Sequence, residues 1–96
     1  MAETEFVDRV SRALGVSRGE LVKRGVEAFL QAQLRACLAE IHELEVRYGV
    51  KGSEGFEEKI RGGFVDEHPA WEDLIVLENL EGRAGKIRRE LNALKS

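Results

Sequence analysis

The stretch LQAQLRACLAEIHELEVRY, residues 30–48, decides the fold that the sequence predicts. Its apolar residues recur at alternating steps of four and three, which is the heptad spacing of a helix that packs along another helix. The members of this seam are Leu30, Leu34, Cys37, Ile41, Leu44 and Tyr48. The same spacing returns in LENLEGRAGKIRRELNAL, residues 77–94, where the members are Leu77, Leu80, Ala84, Ile87, Leu91 and Leu94. The sequence therefore predicts two long helices that carry matching apolar seams.

Turn signals predict where the helices begin and end. A short first helix within residues 1–15 carries an apolar face and ends at Gly15. A long helix follows over residues 17–48, because SRGE at residues 17–20 has the form of a capping box that begins with Ser17. A glycine-rich connector, residues 49–68, holds a short helix that Ser53 caps. Pro69 suits the first turn of a C-terminal helix over residues 69–95.

These segments together predict one all-α domain over residues 1–96. Nowhere do four or more β-branched or aromatic residues alternate with polar ones, as a half-buried strand would require. The two long helices form a hairpin, and their seams could pair within one chain or between chains. A single hairpin leaves apolar residues uncovered, because Val22, Val26, Phe29 and Leu38 widen the apolar face beyond the seam. We therefore expect two hairpins to pair into a dimeric bundle.

The composition bounds the location and the class of the protein. Cys37 is the single cysteine, which excludes an intrachain disulfide and a cysteine-based zinc cage and favours a reducing compartment. The first residues, MAETEFVDRV, carry acids where a signal peptide carries bases, and no apolar stretch is long enough for a membrane span. We expect a cytoplasmic protein that does not bind to a membrane.

The charge is arranged in zones, although the net charge is only −3. Residues 9–24 hold five bases and one acid, residues 54–81 hold nine acids and two bases, and residues 83–96 hold five bases and one acid. Zoning of this kind bears on association with other molecules more than on the fold.

One segment, RGGFVDEHPAWEDL at residues 61–74, gathers acids, a histidine and the single tryptophan. His68 and Glu72 are four residues apart and could face each other on a helix, as an acid–base or metal-binding pair would require. A hydrolytic site also needs a nucleophile or an oxyanion hole, and no motif supplies one. Acids at a helix start also interact favourably with the helix dipole. We therefore expect no catalytic residue, no metal, no cofactor and no enzymatic activity.

The same segment suits a surface that binds another protein. Trp71 is either a core residue or a binding hot spot, a role in which tryptophan is enriched. Apolar anchors inside an acidic rim would complement a basic partner. The expected partner-binding residues are Phe64, Asp66, Glu67, His68, Trp71 and Glu72.

The basic segment, residues 9–24, offers an alternative function. Residues 6–30 read as a helix, a turn and a second helix that begins with bases, which is the arrangement of helix-turn-helix DNA-binding proteins. A transcriptional regulator of this kind would use Arg18, Lys23 and Arg24 to bind DNA.

Two parts of the chain resemble known families. RYGVKGSEGFEEKIRGGFVDEHPAWEDLIVLENL, residues 47–80, looks like the C-terminal half of antitoxins of type II toxin–antitoxin pairs. The positions that carry this resemblance are Tyr48, Gly49, Phe56, Glu57, Glu58, Gly63, Asp66, Glu67 and Trp71. LGVSR at residues 14–18 resembles the turn between the helices of ribbon-helix-helix repressors, although the acidic MAETE stands where those proteins have a DNA-reading strand. The resemblance implies a protein that binds and neutralises a cognate toxin.

Overall fold

A computed structural model describes residues 2–95, and within that range the chain is helical apart from short turns. The helices are α1 (Glu3–Leu14), α2 (Arg18–Tyr48), α3 (Gly52–Arg61) and α4 (Glu67–Lys95). No strand occurs among the described residues, so the predicted all-α class is confirmed. None of the helices in this range is both long and apolar enough to cross a membrane.

α2 and α4 pack along each other and form the predicted long hairpin within one chain. The Cys37 thiol donates a hydrogen bond to the carbonyl oxygen of Leu80 at 3.4 Å, and the Arg83 guanidinium donates one to the Gln33 side chain at 2.7 Å. The buried seam members are Cys37, Leu44, Leu77, Ala84 and Ile87. The half-buried members are Leu30, Leu34, Ile41, Tyr48, Leu80, Leu91 and Leu94. Because the two seams pair with each other inside one chain, they are not free to join two copies.

The core lies at the end of the hairpin where α3 folds against α4 and the last turns of α2. Its buried members come from all three helices and are Leu44, Phe56, Ile60, Ala70, Leu74 and Leu77. Phe56 and Leu77 are 0% exposed, and the Tyr48 ring centroid lies 4.3 Å from that of Phe56. Complete burial of a side chain of this size stabilises a fold by about 1.5–3 kcal/mol. This cluster is therefore the main apolar source of stability.

Polar contacts fix α3 against the hairpin. The Glu81 carboxylate accepts hydrogen bonds from the Ser53 backbone N–H at 3.0 Å and from the Ser53 hydroxyl at 2.5 Å. The Lys59 ammonium donates one to the Tyr48 carbonyl oxygen at 2.6 Å. The expectation that Ser53 caps α3 is wrong, because Lys51 occupies the N-cap position and makes no side-chain cap. Ser53 lies in the first turn instead, where Glu81 engages its hydroxyl.

The starts of the two long helices differ. Ser17 caps α2 as predicted, since its hydroxyl accepts a hydrogen bond from the Glu20 N–H at 3.1 Å, whereas the Glu20 carboxylate of the predicted capping box pairs with Arg24. At the start of α4, His68 and Pro69 have non-helical backbone angles. Regular α4 geometry therefore begins at Ala70 and continues to Lys95, which places residues 62–69 in an irregular turn at the end of the hairpin.

The molecule is elongated, with extents of 60 × 29 × 17 Å and a Cα radius of gyration of 19.4 Å. A compact chain of this length has a radius of gyration of about 13 Å. The N-terminal side contributes nothing to the core, because no side chain in residues 2–36 is buried. We call residues 3–29, which comprise α1 and the first part of α2, the N-terminal arm.

Candidate protein-binding surface

The expected partner-binding residues all lie at the core end of the hairpin, in and just after the irregular turn between α3 and α4. We call this set the hairpin-end surface, and its members are Phe64, Asp66, Glu67, His68, Trp71 and Glu72. Five of the six are exposed, and Trp71 is half-buried. These residues span nine positions of sequence, and the structure presents most of them to solvent.

Phe64 is the most exposed large apolar side chain among the described residues, at 77%. Its backbone is held in place, because its N–H donates a hydrogen bond to the Lys59 carbonyl oxygen at 3.1 Å. Its ring lies over Gly62, where an added Cβ would come within 2.7 Å of the Phe64 ring. A glycine at residue 62 is therefore what allows this turn to carry an outward-facing phenylalanine.

Trp71 anchors the surface to the core. It packs against the buried cluster as a half-buried side chain, and the Arg61 guanidinium lies 5.5 Å from the centre of its ring. A cation over an indole face contributes roughly 0.5–1 kcal/mol at exposed sites. Trp71 therefore contacts the core cluster and Arg61, and its role as a binding hot spot stays a prediction.

His68 and Glu72 face each other as their spacing predicts, with Nδ1 and Oε1 2.9 Å apart. The pKa of Glu72 is lowered, first by a hydrogen bond from its own backbone N–H and then by the hydrogen bond with His68. Both side chains are exposed. Within residues 2–95, no group of three or more His, Cys, Asp and Glu side chains lies close enough to hold a metal ion. The pair is an exposed hydrogen-bonded contact on the rim of the surface.

Sequence reasoning missed two exposed apolar side chains on α4, Ile75 and Val76. Ile75 lies four residues after Trp71 and three after Glu72, so it extends the hairpin-end surface along the same face of the helix. The four-residue spacing between Trp71 and Ile75 is the sequence signal that places both residues on one face of the helix. It was overlooked because Ile75 sits beside the seam of α4 and reads as a core residue.

A polar cluster lies on the flank of the surface. The Tyr48 hydroxyl donates a hydrogen bond to the Asp73 carboxylate, and the Arg47 guanidinium lies 3.5 Å from the same carboxylate. Burial raises the pKa of the Tyr48 hydroxyl, and the contact with Asp73 raises it further. This cluster ties the end of α2 to the first turns of α4, so it holds the hairpin-end surface in place.

The residues expected to bind DNA are placed differently. Arg18 forms an ion pair with Asp8, and Arg24 forms one with Glu20 at 2.9 Å. Lys23 is exposed. Two of the three bases are thus already neutralised by acids of the same chain, which weakens the positive field that non-specific binding to phosphates requires.

The fold and the surface together define a helical hairpin with a third helix packed over one end, where an exposed phenylalanine stands among carboxylates. Comparison with protein families then places the chain: it belongs to the family described as the Uncharacterized protein MJ0235 family, whose model matches residues 1–96. No curated protein matches the chain. No solved structure matches it either.

Proposed function

We propose that this protein is a non-enzymatic binding module whose hairpin-end surface docks onto a partner protein. The observation that supports this function most directly is Phe64, which is 77% exposed on an ordered turn. Removing a large exposed aromatic side chain from water is favourable when another molecule covers it, and aromatic residues are enriched in interface cores. The half-buried Trp71 and the exposed Ile75 provide further apolar area beside it.

The charge around these anchors indicates the chemistry of the partner. Asp66, Glu67 and Glu72 are exposed near Phe64, within a segment, residues 54–81, that holds nine acids and two bases. A positively charged cleft complements such a rim and would be steered toward it. The resemblance to antitoxins suggests that the partner is a toxin with a basic, nucleic-acid-binding cleft, which the acidic surface would block in the cytoplasm.

We further propose that the protein acts as a homodimer. A chain of 96 residues buries a modest share of its surface, and oligomerisation is a common way to cover the remainder. Several large apolar side chains stay exposed after the hairpin has formed, among them Phe6, Leu14 and Phe29.

A binding titration with the product of the neighbouring small reading frame tests the partner proposal. The variant Phe64→Ser with Asp66→Lys should bind at least about 100-fold more weakly, since it removes one apolar anchor and reverses one rim charge. The control is Val46→Ser with Glu43→Lys, which likewise replaces one exposed apolar side chain by serine and one exposed acid by lysine, on α2. Equal loss in both variants, or no loss in either, contradicts the proposal.

DNA binding through Arg18, Lys23 and Arg24 stays the alternative, and a mobility-shift assay distinguishes it. Binding that rests on phosphate contacts weakens steeply as salt rises above about 0.1 M. A DNA mobility shift that Lys23→Glu abolishes, and that the variant Phe64→Ser with Asp66→Lys still produces, would favour the DNA-binding regulator. Absence of any shift at low salt would remove that alternative.

A further inference from the structure

We propose that the N-terminal arm is the surface through which two copies of this chain associate, with the apolar face of α1 at its centre. This inference rests on the homodimer proposed above and names its interface. It differs from the expectation drawn from the sequence, which placed helix pairing at the heptad seams. Those seams are occupied within the hairpin, so a dimer requires another surface.

α1 carries an apolar face that nothing in the described chain covers. Phe6, Val10 and Leu14 lie at steps of four along the helix and are 55%, 38% and 70% exposed. Arg9 and Ala13 border the same open face. A regular apolar face of this kind is what a surface helix normally turns toward a core.

A neighbouring face of α1 is the one that contacts α2. Val7, Asp8 and Ser11 are half-buried. The Arg18 guanidinium pairs with the Asp8 carboxylate and donates a hydrogen bond to the Thr4 carbonyl oxygen at 3.4 Å. The chain therefore holds α1 by its more polar face and leaves the apolar face outward, which is unfavourable for an isolated molecule.

The first part of α2 continues the pattern. Val22, Val26 and Phe29 lie at steps of four and three, and all three are exposed. Leu30 and Leu34, on the adjacent face toward α4, are half-buried. The exposed residues thus flank the seam, and they are available to a second molecule after the hairpin has formed.

The exposed area matches what one partner contributes to a stable interface. Six side chains of this size and exposure leave on the order of 500 Å² of apolar surface in water. A standard interface takes about 800 Å² from each partner, of which somewhat more than half is apolar. α1 also has only 12 residues, and isolated helices shorter than about 12–15 residues are marginal in water. A permanent occupant is therefore expected rather than a transient one.

The charge of the arm favours a second copy as that occupant. Residues 3–29 hold five bases and five acids, so the arm has no net charge and two arms can approach without strong repulsion. The acidic segment, residues 54–81, has no such balance and would repel its own copy. Symmetric dimers, in which the same patch meets itself, are the commonest soluble oligomers.

Association through the arm leaves the hairpin-end surface free. α2 spans 31 residues and is about 46 Å long at 1.5 Å per residue, with the arm at its start and the hairpin-end surface at its far end. Each copy in the dimer can then bind one partner molecule, and the complex would contain two chains of each kind.

Sedimentation equilibrium tests the inference, because it reports mass independently of the elongated shape. The wild-type chain should have twice the monomer mass at micromolar concentration. Phe6→Ser with Leu14→Ser should associate at least 100-fold more weakly while circular dichroism shows that the hairpin is retained. The control is Phe64→Ser, which removes a still more exposed phenylalanine at the other end of the molecule and should remain a dimer.

The outcomes separate this inference from the proposed function. A wild-type dimer that the α1 variant leaves unchanged places the interface elsewhere and overturns the inference, and partner binding is then judged by its own titration. If the double variant loses helicity, Leu14→Ser alone should weaken association at least 10-fold, and unchanged association contradicts the inference. A monomeric wild type overturns the dimer and its interface together. A monomer that pellets with phosphatidylglycerol vesicles assigns the face to a lipid surface and also overturns it.

Discussion

Both ends of this molecule are built from similar amphipathic helices, but their apolar side chains are buried at one end and exposed at the other. At the core end, three helices meet, and Phe56 and Leu77 lose all contact with water. In the N-terminal arm, α1 contacts α2, and the comparable residues Phe6, Leu14 and Phe29 stay more than half exposed. The comparison teaches that large apolar side chains are fully covered where a third element closes over them, and α3 supplies that element at one end only.

The comparison also explains where function can lie. The core end is fixed by apolar packing and by the polar contacts of Glu81 and Asp73, so it can present Phe64 and its acidic neighbours in a defined geometry. The arm lacks a comparable core of its own, so its exposed apolar side chains are available to pack against a second molecule. One end therefore offers a recognition surface and the other an assembly surface.

The largest effect is expected from opening the core. Phe56→Ala should lower the free energy of unfolding by about 3–5 kcal/mol, because it leaves a cavity in a fully buried site. Phe64→Ala removes the same side chain from an exposed position and should change the free energy of unfolding by less than about 0.5 kcal/mol. Urea unfolding of both variants measures the difference. Similar losses in the two would contradict the assignment of the core.

A smaller effect is expected from the carboxylate that holds α3. Glu81→Ala leaves the half-buried Ser53 N–H and hydroxyl without their acceptor and should lower the free energy of unfolding by about 1–3 kcal/mol. Glu20→Ala in the arm removes an exposed ion pair with Arg24 and should lower it by at most about 0.5 kcal/mol. Urea unfolding of both variants compares the two losses of free energy. A larger loss for Glu20→Ala than for Glu81→Ala would show that the contacts of the arm contribute more stability than those of α3.

The smallest effect concerns the pH dependence of Glu72. Because its folded pKa lies below its ordinary value of 4.5, ionised Glu72 contributes stability that is complete above about pH 4.5. That contribution is lost as the pH falls through the folded pKa. NMR titration should show the pKa of Glu72 lowered in the wild type and closer to 4.5 in His68→Ala, with the part due to its own N–H retained. An unchanged pKa in the variant would show that His68 has no influence.

Much of the fold could be predicted from local signals. The heptad spacing of residues 30–48 and 77–94 predicts the hairpin, and Ser17 and Gly15 mark the turn that precedes it. The position of α3 could not be predicted in the same way, because it depends on contacts between residues distant in sequence. Ser53 illustrates the difference: its neighbours in sequence suggest a helix cap, whereas Glu81, 28 residues away, engages its hydroxyl.

The sequence predicts which residues make up the candidate site, but it does not predict which of them are buried. The sequence brings Phe64, Asp66 and Trp71 close together, but periodicity does not reveal which side of Trp71 meets the core. The exposed face of α1 was hidden for a similar reason, since Phe6, Val10 and Leu14 have the spacing of core residues. Spacing predicts which residues share a face, and only the arrangement of the other helices decides whether that face is covered.

Amide hydrogen exchange at two protein concentrations tests the contrast between the two ends most directly. When the protein is diluted until the dimer dissociates, we expect exchange to become faster at residues 7–14 of α1 and to stay unchanged at residues 74–84 of α4. That result would show that a second copy covers the arm while the core end is stable by itself. Amides of α1 that stay as protected as those of α4 in the diluted monomer would contradict it.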